Sequence, residues 1–307
     1  MTALRKITSL ALAAAFTVSL GSCTPPETSI SKTVTLEFDD SYDFSDKGCH
    51  GIQMMSNINS VMTVFCEDVA EPEITIAFTF SGFGKKDLEY ERDHLDVTKS
   101  LTEDGILSIG IIDTTTGNSA RSAKNIFKDD SPGIVFSHTS AVITLTLPKS
   151  FDSFNISNYN GDLAAKDLAG QIRLYTYETI TAENIAFNAD DDNTVMGDKG
   201  IIISTSRYEG EREDALITSR YGDITYVVPE PADMQGRSKA DTIQVLCSEG
   251  AVTVDLNGNV CADTHELDKN KSRQYDYSVA HGAALLDLDD YGGGVTFTNG
   301  RDVRSVR

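Results

Sequence analysis

The feature that most constrains this chain is a period-two alternation of apolar and polar residues. Residues 74–80, ITIAFTF, place Ile74, Ile76 and Phe78 between small or hydroxyl-bearing neighbours. Because successive side chains of a strand point to opposite faces, this alternation predicts half-buried β-strands. Similar patterns occur at residues 34–38, 107–111, 142–147, 172–174, 224–226, 252–256 and 295–297. Helical periodicity is confined to a brief stretch at residues 283–288, so the chain is predicted to be all-β.

Short segments rich in Gly, Asn and Asp separate these strands. They lie at residues 81–84, 103–105, 160–162, 199–200, 221–223, 257–259 and 292–294. These three residue types tolerate positive φ, so we predict tight corners with positive φ there.

The corners also repeat along the chain. Residues 159–163, YNGDL, return at 221–224 as YGDI and more loosely at 290–295. The tetrapeptide TSRY occurs at 205–208 and at 218–221; its second copy runs into the YGDI corner, whereas the first ends the preceding strand. Strand-turn units this small cannot bury a face alone, which predicts that they stack on one another.

The first 23 residues have the pattern of an export signal. Arg5 and Lys6 precede an apolar run over residues 7–20, which is typical of a secretory signal and too short for a mature membrane span. The next residues, Leu-Gly-Ser-Cys at 20–23, resemble the lipobox of bacterial lipoproteins. The resemblance implies cleavage before Cys23 and attachment of acyl chains such as palmitate to that cysteine.

This reading defines the expected organisation. Residues 1–22 are the signal peptide, 23–32 a lipidated tether and 33–300 the β domain, with N-terminal strands at 33–140 and repeat units at 141–300; residues 301–307 form a tail. Acyl chains would anchor the folded part to a membrane surface. Thr24 stands where inner-membrane lipoproteins commonly carry aspartate, which favours the outer membrane and leaves the side of that membrane open.

The chain is strongly acidic, with 47 Asp and Glu against 26 Lys and Arg and a net charge of −21. Such a charge repels nucleic acid and anionic headgroups. No basic patch with interleaved aromatic residues occurs. The expected partners are therefore the membrane, through the lipid, and an envelope protein or a glycan, but not nucleic acid.

Four cysteines follow Cys23, namely Cys49, Cys66, Cys247 and Cys261. An even number in an exported protein predicts two disulfides. The local pairs 49–66 and 247–261 would each close a short loop, but three connectivities remain open.

Two runs resemble the putative-adhesin (auto-transporter-adhesin-head-like) domains of bacterial envelope proteins. They are VITLTLPKSFDSFNISNYNGDLAAKDLAGQIRLYTYE at residues 142–178 and ALITSRYGDITYVVPEPADMQGRSKA at residues 215–240; HLDVTKSLTEDGILSIGI, at 94–111, also fits. The likeness spans about residues 70–300 and implies an elongated all-β fold with right-handed, parallel β-helix-like (β-solenoid-like) stacking. An antiparallel β-sandwich is the alternative. The acidic insert 190–192, the segment 263–277 and the four mature cysteines depart from the family pattern.

No catalytic or cofactor motif is evident. The histidines, at positions 50, 94, 138, 265 and 281, lack metal-ligand spacing, and neither a Gly-x-Ser-x-Gly elbow nor a P-loop occurs. Asp190–Asn193 and Asp287, Asp289 and Asp290 offer oxygen ligands to calcium but lack the pattern of a calcium-binding hand, so solvated loops are the simpler interpretation. No catalytic residue, cofactor or metal site is predicted.

Tyr159, Tyr177, Tyr208 and Tyr221 lie in polar strand contexts. If the units stack, some of these tyrosines would form a column on one face, either as aromatic surface for a sugar or a protein or as a structural ladder. We expect a lipid-anchored, non-enzymatic envelope protein with a structural or binding β domain of adhesin type. The alternatives are a β-helical polysaccharide lyase or hydrolase that uses paired carboxylates, and a periplasmic protein-docking or sensor module.

Overall fold

The computed structural model describes residues 28–39, 41–44, 48–82, 84–122, 133–188, 192–206 and 214–228, and the backbone of six further strands between 241 and 296. These residues are predominantly β, as the alternation predicts, with one α-helix among them. The signal sequence, Cys23 and the tail at 301–307 lie outside the described residues.

The elements follow one another along the chain as a long succession of strands. The first are β1 (Thr28–Leu36), β2 (Gly51–Glu67), β3 (Glu73–Gly82), α1 (Lys85–His94), β4 (Leu95–Leu101), β5 (Ile106–Asp113) and β6 (Thr139–Pro148). Then come β7 (Ser153–Asn160), β8 (Leu163–Lys166), β9 (Ala169–Thr176), β10 (Thr179–Phe187), β11 (Thr194–Gly197), β12 (Gly200–Thr205), β13 (Asp214–Ser219) and β14 (Ile224–Val228). The last are β15 (Asp241–Cys247), β16 (Val252–Leu256), β17 (Asn259–Cys261), β18 (Arg273–Ser278), β19 (Ala284–Asp290) and β20 (Val295–Thr296).

The longest strand, β2, belongs to two ladders of hydrogen-bonded strands. Its first half runs parallel to β5 and β7, and its second half runs parallel to β6 and β8. The register of β2 against β7 shifts between Ser56 and Asn59, where the strand passes from one ladder to the other.

Ladder A consists of β4, β5, the first half of β2, β7, β9, β11, β13, β15, β19 and β18, in order of neighbours. Ladder B consists of β1, β3, β6, the second half of β2, β8, β10, β12, β14 and β16, which then pairs with β17 and β20. From β7 to β16 consecutive strands alternate between the ladders, and each strand from β7 to β14 is parallel to the second strand after it. An antiparallel sandwich does not have this pairing.

One strand of each ladder forms a layer, which we call a rung. Leu163, Ile180, Ile201 and Ile224 occupy the same place in successive rungs of ladder B and are 17, 21 and 23 positions apart. The repeat is therefore regular in space although its length in sequence varies.

A single apolar core takes the inward side chains of both ladders. Ladder A contributes a column that includes Ile156, Leu174 and Val195, and ladder B contributes the column of Leu163 and its successors, all of them buried. Each rung covers the apolar face of the next, so burial of these columns supplies the main stabilisation of the stack.

The N-terminal end of the stack is built differently from its middle. The outermost strands, β1 and β4, run antiparallel to their neighbours, and α1 contacts β1, β3 and β4. Leu88 of the helix is completely buried and Glu91 nearly so. A helix laid against terminal strands shields a ladder end whose backbone groups would otherwise be free to pair with another chain.

Several expectations about the elements need correction. The helix Lys85–His94 was not predicted, and residues 284–288 of the stretch given helical character by the sequence lie in strand β19. Strand β1 begins at Thr28, inside the stretch predicted as tether. Strand β2, in the part predicted as N-terminal strands, pairs with β6 and with β8 of the predicted repeat units.

The repeated corners at Gly161 and Gly222 are confirmed as equivalent positions in the strand pairing. Glycine is required there by a close backbone contact and not, as predicted, by a positive φ. Gly161 and Gly222 precede Leu163 and Ile224 of the same ladder B column, yet neither has positive φ. A Cβ atom on Gly161 would lie 1.6 Å from the carbonyl oxygen of Ser60, and one on Gly222 would lie 1.8 Å from that of Lys199. Close approach of the preceding rung therefore excludes a side chain at both corners.

Candidate functional site

The outward face of ladder A carries a cluster of three tyrosines close to the corner that leads to ladder B. The ring centroids of Tyr159 and Tyr175 are 5.1 Å apart, those of Tyr159 and Tyr177 are 5.6 Å apart, and those of Tyr175 and Tyr177 are 5.3 Å apart. All three side chains are half-buried. The predicted alignment is thus confirmed for Tyr159 and Tyr177, whereas Tyr175 was missed.

The register of ladder A explains why these rings meet. Ser157 is opposite Tyr175, which is opposite Met196, so one outward row crosses three strands. Met55 precedes Ser157 in the same row and is exposed. Aromatic and methionine side chains are the types enriched at the centres of protein interfaces.

The three rings pack against one another. Tyr159 and Tyr177 each form an edge-type contact with Tyr175, at interplanar angles of 62° and 76°. Burial, followed by a hydrogen bond with Tyr177, raises the pKa of the Tyr175 hydroxyl above its usual value. Because the three rings are inclined to one another by 53° to 76°, they do not form one flat platform on which a sugar could stack.

Over the next two rungs, a charged pair and an exposed tyrosine extend the cluster. Arg220 lies 3.6 Å from the carboxylate of Asp198, and its guanidinium sits 5.6 Å from the ring centroid of Tyr221. Together with Met55, Ser157, Tyr159, Tyr175, Tyr177 and Met196, these residues form a surface that we call the tyrosine face. Tyr208, the fourth predicted tyrosine, lies outside the described residues.

The best candidate for acid–base chemistry is a buried carboxylate on α1. Glu91 is 5% exposed and accepts hydrogen bonds from the backbone amides of Ser137 and His138 and from the hydroxyl of Thr139. The Nδ1 atom of His138 lies 2.9 Å from this carboxylate and 3.1 Å from the Ser137 hydroxyl. Serine and carboxylate thus share one ring nitrogen, whereas a catalytic triad places them on opposite nitrogens. The arrangement fastens α1 to the start of β6.

A second histidine joins two corners of the stack. His50 Nδ1 lies 2.8 Å from Asp152, and its Nε2 lies 3.0 Å from the backbone oxygen of Asp104. The hydrogen bond with Asp152 is the main cause of a raised His50 pKa. With both ring nitrogens engaged, His50 acts as a clamp between neighbouring loops.

The acidic runs do not form a metal site in the part of the chain that the structure describes, where no three potential ligand side chains converge. Asp190 and Asp191 are outside that part, and Asp192 pairs with Arg173 of the preceding rung. The other run lies on β19, where only the backbone is described; there Asp287, Asp289 and Asp290 are opposite Asp276, Gln274 and Arg273.

The predicted disulfide 49–66 is wrong, because Cys49 and Cys66 are both free. Cys49 precedes the half of β2 in ladder A, and Cys66 closes the half in ladder B, so the bend of β2 separates them. Burial raises the pKa of Cys66 to about 12 and also raises that of Cys49. The side chains of Cys247 and Cys261 lie outside the described residues, so their pairing stays a prediction.

In the described residues, no helix is long and apolar enough to span a bilayer.

Comparison with known proteins gives little. No family model matches the chain, and no curated protein matches it. Among solved structures, a putative cell adhesion protein from Clostridium sporogenes matches over 87% of this chain and 97% of its own length, with 9% sequence identity and a TM-score of 0.36. A match at that TM-score carries no argument about function.

Proposed function

We propose that this chain is a non-enzymatic, lipid-anchored protein of the bacterial cell envelope, whose β domain is a parallel β-helix that binds a protein partner through the tyrosine face. The lipid anchor at Cys23 and an outer-membrane location are part of this proposal.

The β-helix is supported by the strand pairing. Consecutive strands alternate between two ladders, each strand is parallel to its equivalent in the next rung, and the inward columns share one core. Winding of one chain around a common core generates this pairing, whereas hairpins generate antiparallel neighbours. The right-handed sense follows from the family resemblance and from the general preference of parallel crossovers.

The observation that carries the binding function is the in-register cluster Tyr159, Tyr175 and Tyr177 with its methionine row. A face of Tyr, Met and Arg with paired charges has the composition of a protein-docking surface. A sugar platform would need a flat aromatic surface, whereas these three rings are inclined to one another by 53° to 76°.

The anchor is tested by the variant Cys23→Ala. We expect the protein to move from the membrane fraction to the soluble fraction and to lose incorporation of a palmitate analogue, because the acyl chains are the predicted attachment. Continued membrane attachment of this variant would remove the anchor from the proposal without affecting the binding face.

Binding by the tyrosine face is tested by placing a photo-crosslinking amino acid at Tyr221 in living cells. Tyr90 on α1 is a matched control, since it is also a tyrosine and is 52% exposed against 56% for Tyr221. We expect one envelope protein to be crosslinked from position 221, not from position 90, and to be lost when Met55→Glu adds a charge to the face. Identical adducts from both positions, or none from position 221, would exclude the tyrosine face as the docking surface.

A further inference from the structure

The outward face of ladder B carries a continuous row of uncharged residues, most of which are threonines. Eight described strands, β1, β3, β6, β2, β8, β10, β12 and β14, place one residue each in this row, and neighbouring members are register partners throughout. We call it the threonine stripe, and it consists of Thr35, Thr75, Thr144, Thr63, Ala164, Thr181, Ile202 and Thr225. The backbone register continues it to Thr253 and Thr296.

A second uncharged row lies beside the stripe on the first four of these strands. Its members are Thr33, Ala77, Val142 and Val61, again in register. Val61 is 51% exposed, Val142 is 45% exposed, and Ile202 in the stripe is 53% exposed. Threonine pairs stabilise a sheet by themselves, but that does not account for β-branched aliphatic side chains left in water.

The two rows carry no charge at any of these twelve positions, in a chain with a net charge of −21. Charged groups border the rows instead. On one side, Glu37 and Glu73 lie two residues from the stripe members of β1 and β3, and the ion pair of Lys166 with Glu183, 2.8 Å apart, lies two residues from those of β8 and β10. On the other side, Asp162 and Asp223 lie two residues before Ala164 and Thr225. An uncharged centre with a charged rim is the anatomy of an interface.

We propose that this uncharged face of ladder B is the contact surface for a second copy of the same chain, packed face to face. Two molecules that each carry a net charge of −21 repel each other over most of their surfaces. Electrostatic repulsion is smallest where two uncharged faces meet. A second copy also has the same strand spacing of about 4.8 Å. Its rows of threonine and valine therefore interdigitate with these over the whole length, as identical sheets do when they stack.

The size of the face sets the strength of the contact. Eight strands at about 4.8 Å span roughly 34 Å, and the twelve positions, with outward residues about 6.8 Å apart along a strand, cover about 400 Å² per copy. That is smaller than the roughly 800 Å² per partner of a standard stable interface. The dimer is consequently a weak one that forms in proportion to concentration.

The test is light scattering on the purified full chain over a range of concentrations, with three charge variants. Val142→Glu and Ile202→Glu place a carboxylate on the face, and Met55→Glu is the matched control on ladder A, also at an exposed apolar strand position. Because each charge would be buried against its own symmetry-related copy, we expect the dissociation constant to rise at least about tenfold for the first two variants. The control should dimerise like the parent, and all three should keep the parent circular dichroism.

Cysteine crosslinking gives a second readout. Thr63→Cys, Thr181→Cys and Thr225→Cys sample the stripe, and Ser157→Cys samples ladder A. After oxidation, we expect a covalent dimer from at least one stripe position and none from Ser157→Cys. A parent that is monomeric up to about 1 mM, equal dimerisation of all charge variants, or crosslinks in cells only to a protein of another mass would each overturn the proposal.

Discussion

Replacement of Gly161 by alanine tests how tightly the rungs approach one another. The added Cβ would lie 1.6 Å from the Ser60 carbonyl oxygen, whereas real Cβ contacts are essentially never under 3.0 Å. The corner and the preceding rung must therefore separate by more than 1 Å. Both atoms belong to the backbone, so no side-chain rotation relieves the clash.

The cost follows from the hydrogen bonds that hold this corner. The Met62 amide donates to the Asp162 oxygen at 3.0 Å, and the side-chain amide of Asn158 donates to Ser60 at 3.1 Å and to Asp162 at 2.9 Å. A separation of more than 1 Å takes these bonds beyond hydrogen-bonding distance. Three bonds at about 1 kcal/mol each, with an additional 1–2 kcal/mol for the buried amide of Asn158 left without partners, give a loss of about 4–5 kcal/mol.

Urea unfolding followed by circular dichroism measures this loss, with Gly110→Ala as the matched control. At Gly110 the nearest atom to an added Cβ is the hydroxyl of Thr98 at 3.0 Å, which can rotate away. The control should change the free energy of unfolding by less than about 1 kcal/mol. If Gly161→Ala were as mild as Gly110→Ala, the account of the corner as a backbone contact would be refuted.

Three further predictions concern buried or clamping groups. Glu91→Gln should lower the free energy of unfolding by about 2 kcal/mol, because its amide cannot accept from all the donors that surround the carboxylate; Glu89→Gln, on the same helix but in an exposed ion pair, should change it by less than about 0.5 kcal/mol. With the other three cysteines replaced by serine, Cys49 and Cys66 should resist alkylation in the native protein, and both should be alkylated after unfolding without reductant. If neither cysteine is alkylated in the unfolded protein, the two form a disulfide and the assignment as free thiols is wrong. The pKa of His50 in the folded protein is raised above its unfolded value near 6.5. Its contribution to the free energy of unfolding is therefore complete below pH 6.5 and is lost as pH rises through the folded pKa. We expect at most about 1 kcal/mol because the pair with Asp152 is exposed, and His50→Gln should abolish this pH dependence of the free energy of unfolding.

The strands with alternating aliphatic residues could be predicted from the sequence, but β2, the strand that belongs to both ladders, could not. Strand β2 links the ladders, yet Ser56 and Ser60 occupy two of its inward positions and interrupt the apolar pattern. Both are buried, and their hydroxyls lie 2.9 Å apart, with Ser60 also donating to Asn158. Polar residues that satisfy one another inside a bend cannot be recognised as inward-facing by hydrophobicity alone.

The helix α1 escaped prediction for a related reason. Only Leu88 and Glu91 of its ten residues are buried, so the segment KKDLEYERDH has almost no apolar stripe. The buried Glu91 is bound by donors from residues 137–139, more than 45 positions away. Tertiary contacts rather than helix periodicity decide the position of this element.

The outward rows of the two ladders could not be predicted from the sequence, because the repeats differ in length. Each outward row depends on register, and the spacing between equivalent residues changes from 17 to 21 to 23 positions because the connecting corners differ in length. Tyr175 was overlooked since it belongs to a row with Ser157 and Met196 that no fixed period connects. The threonine stripe is hidden in the same way, as its members look like ordinary alternating residues of separate strands. Surface rows on such a stack therefore become visible only when strand pairing is known, and variants are matched by row and ladder rather than by position along the chain.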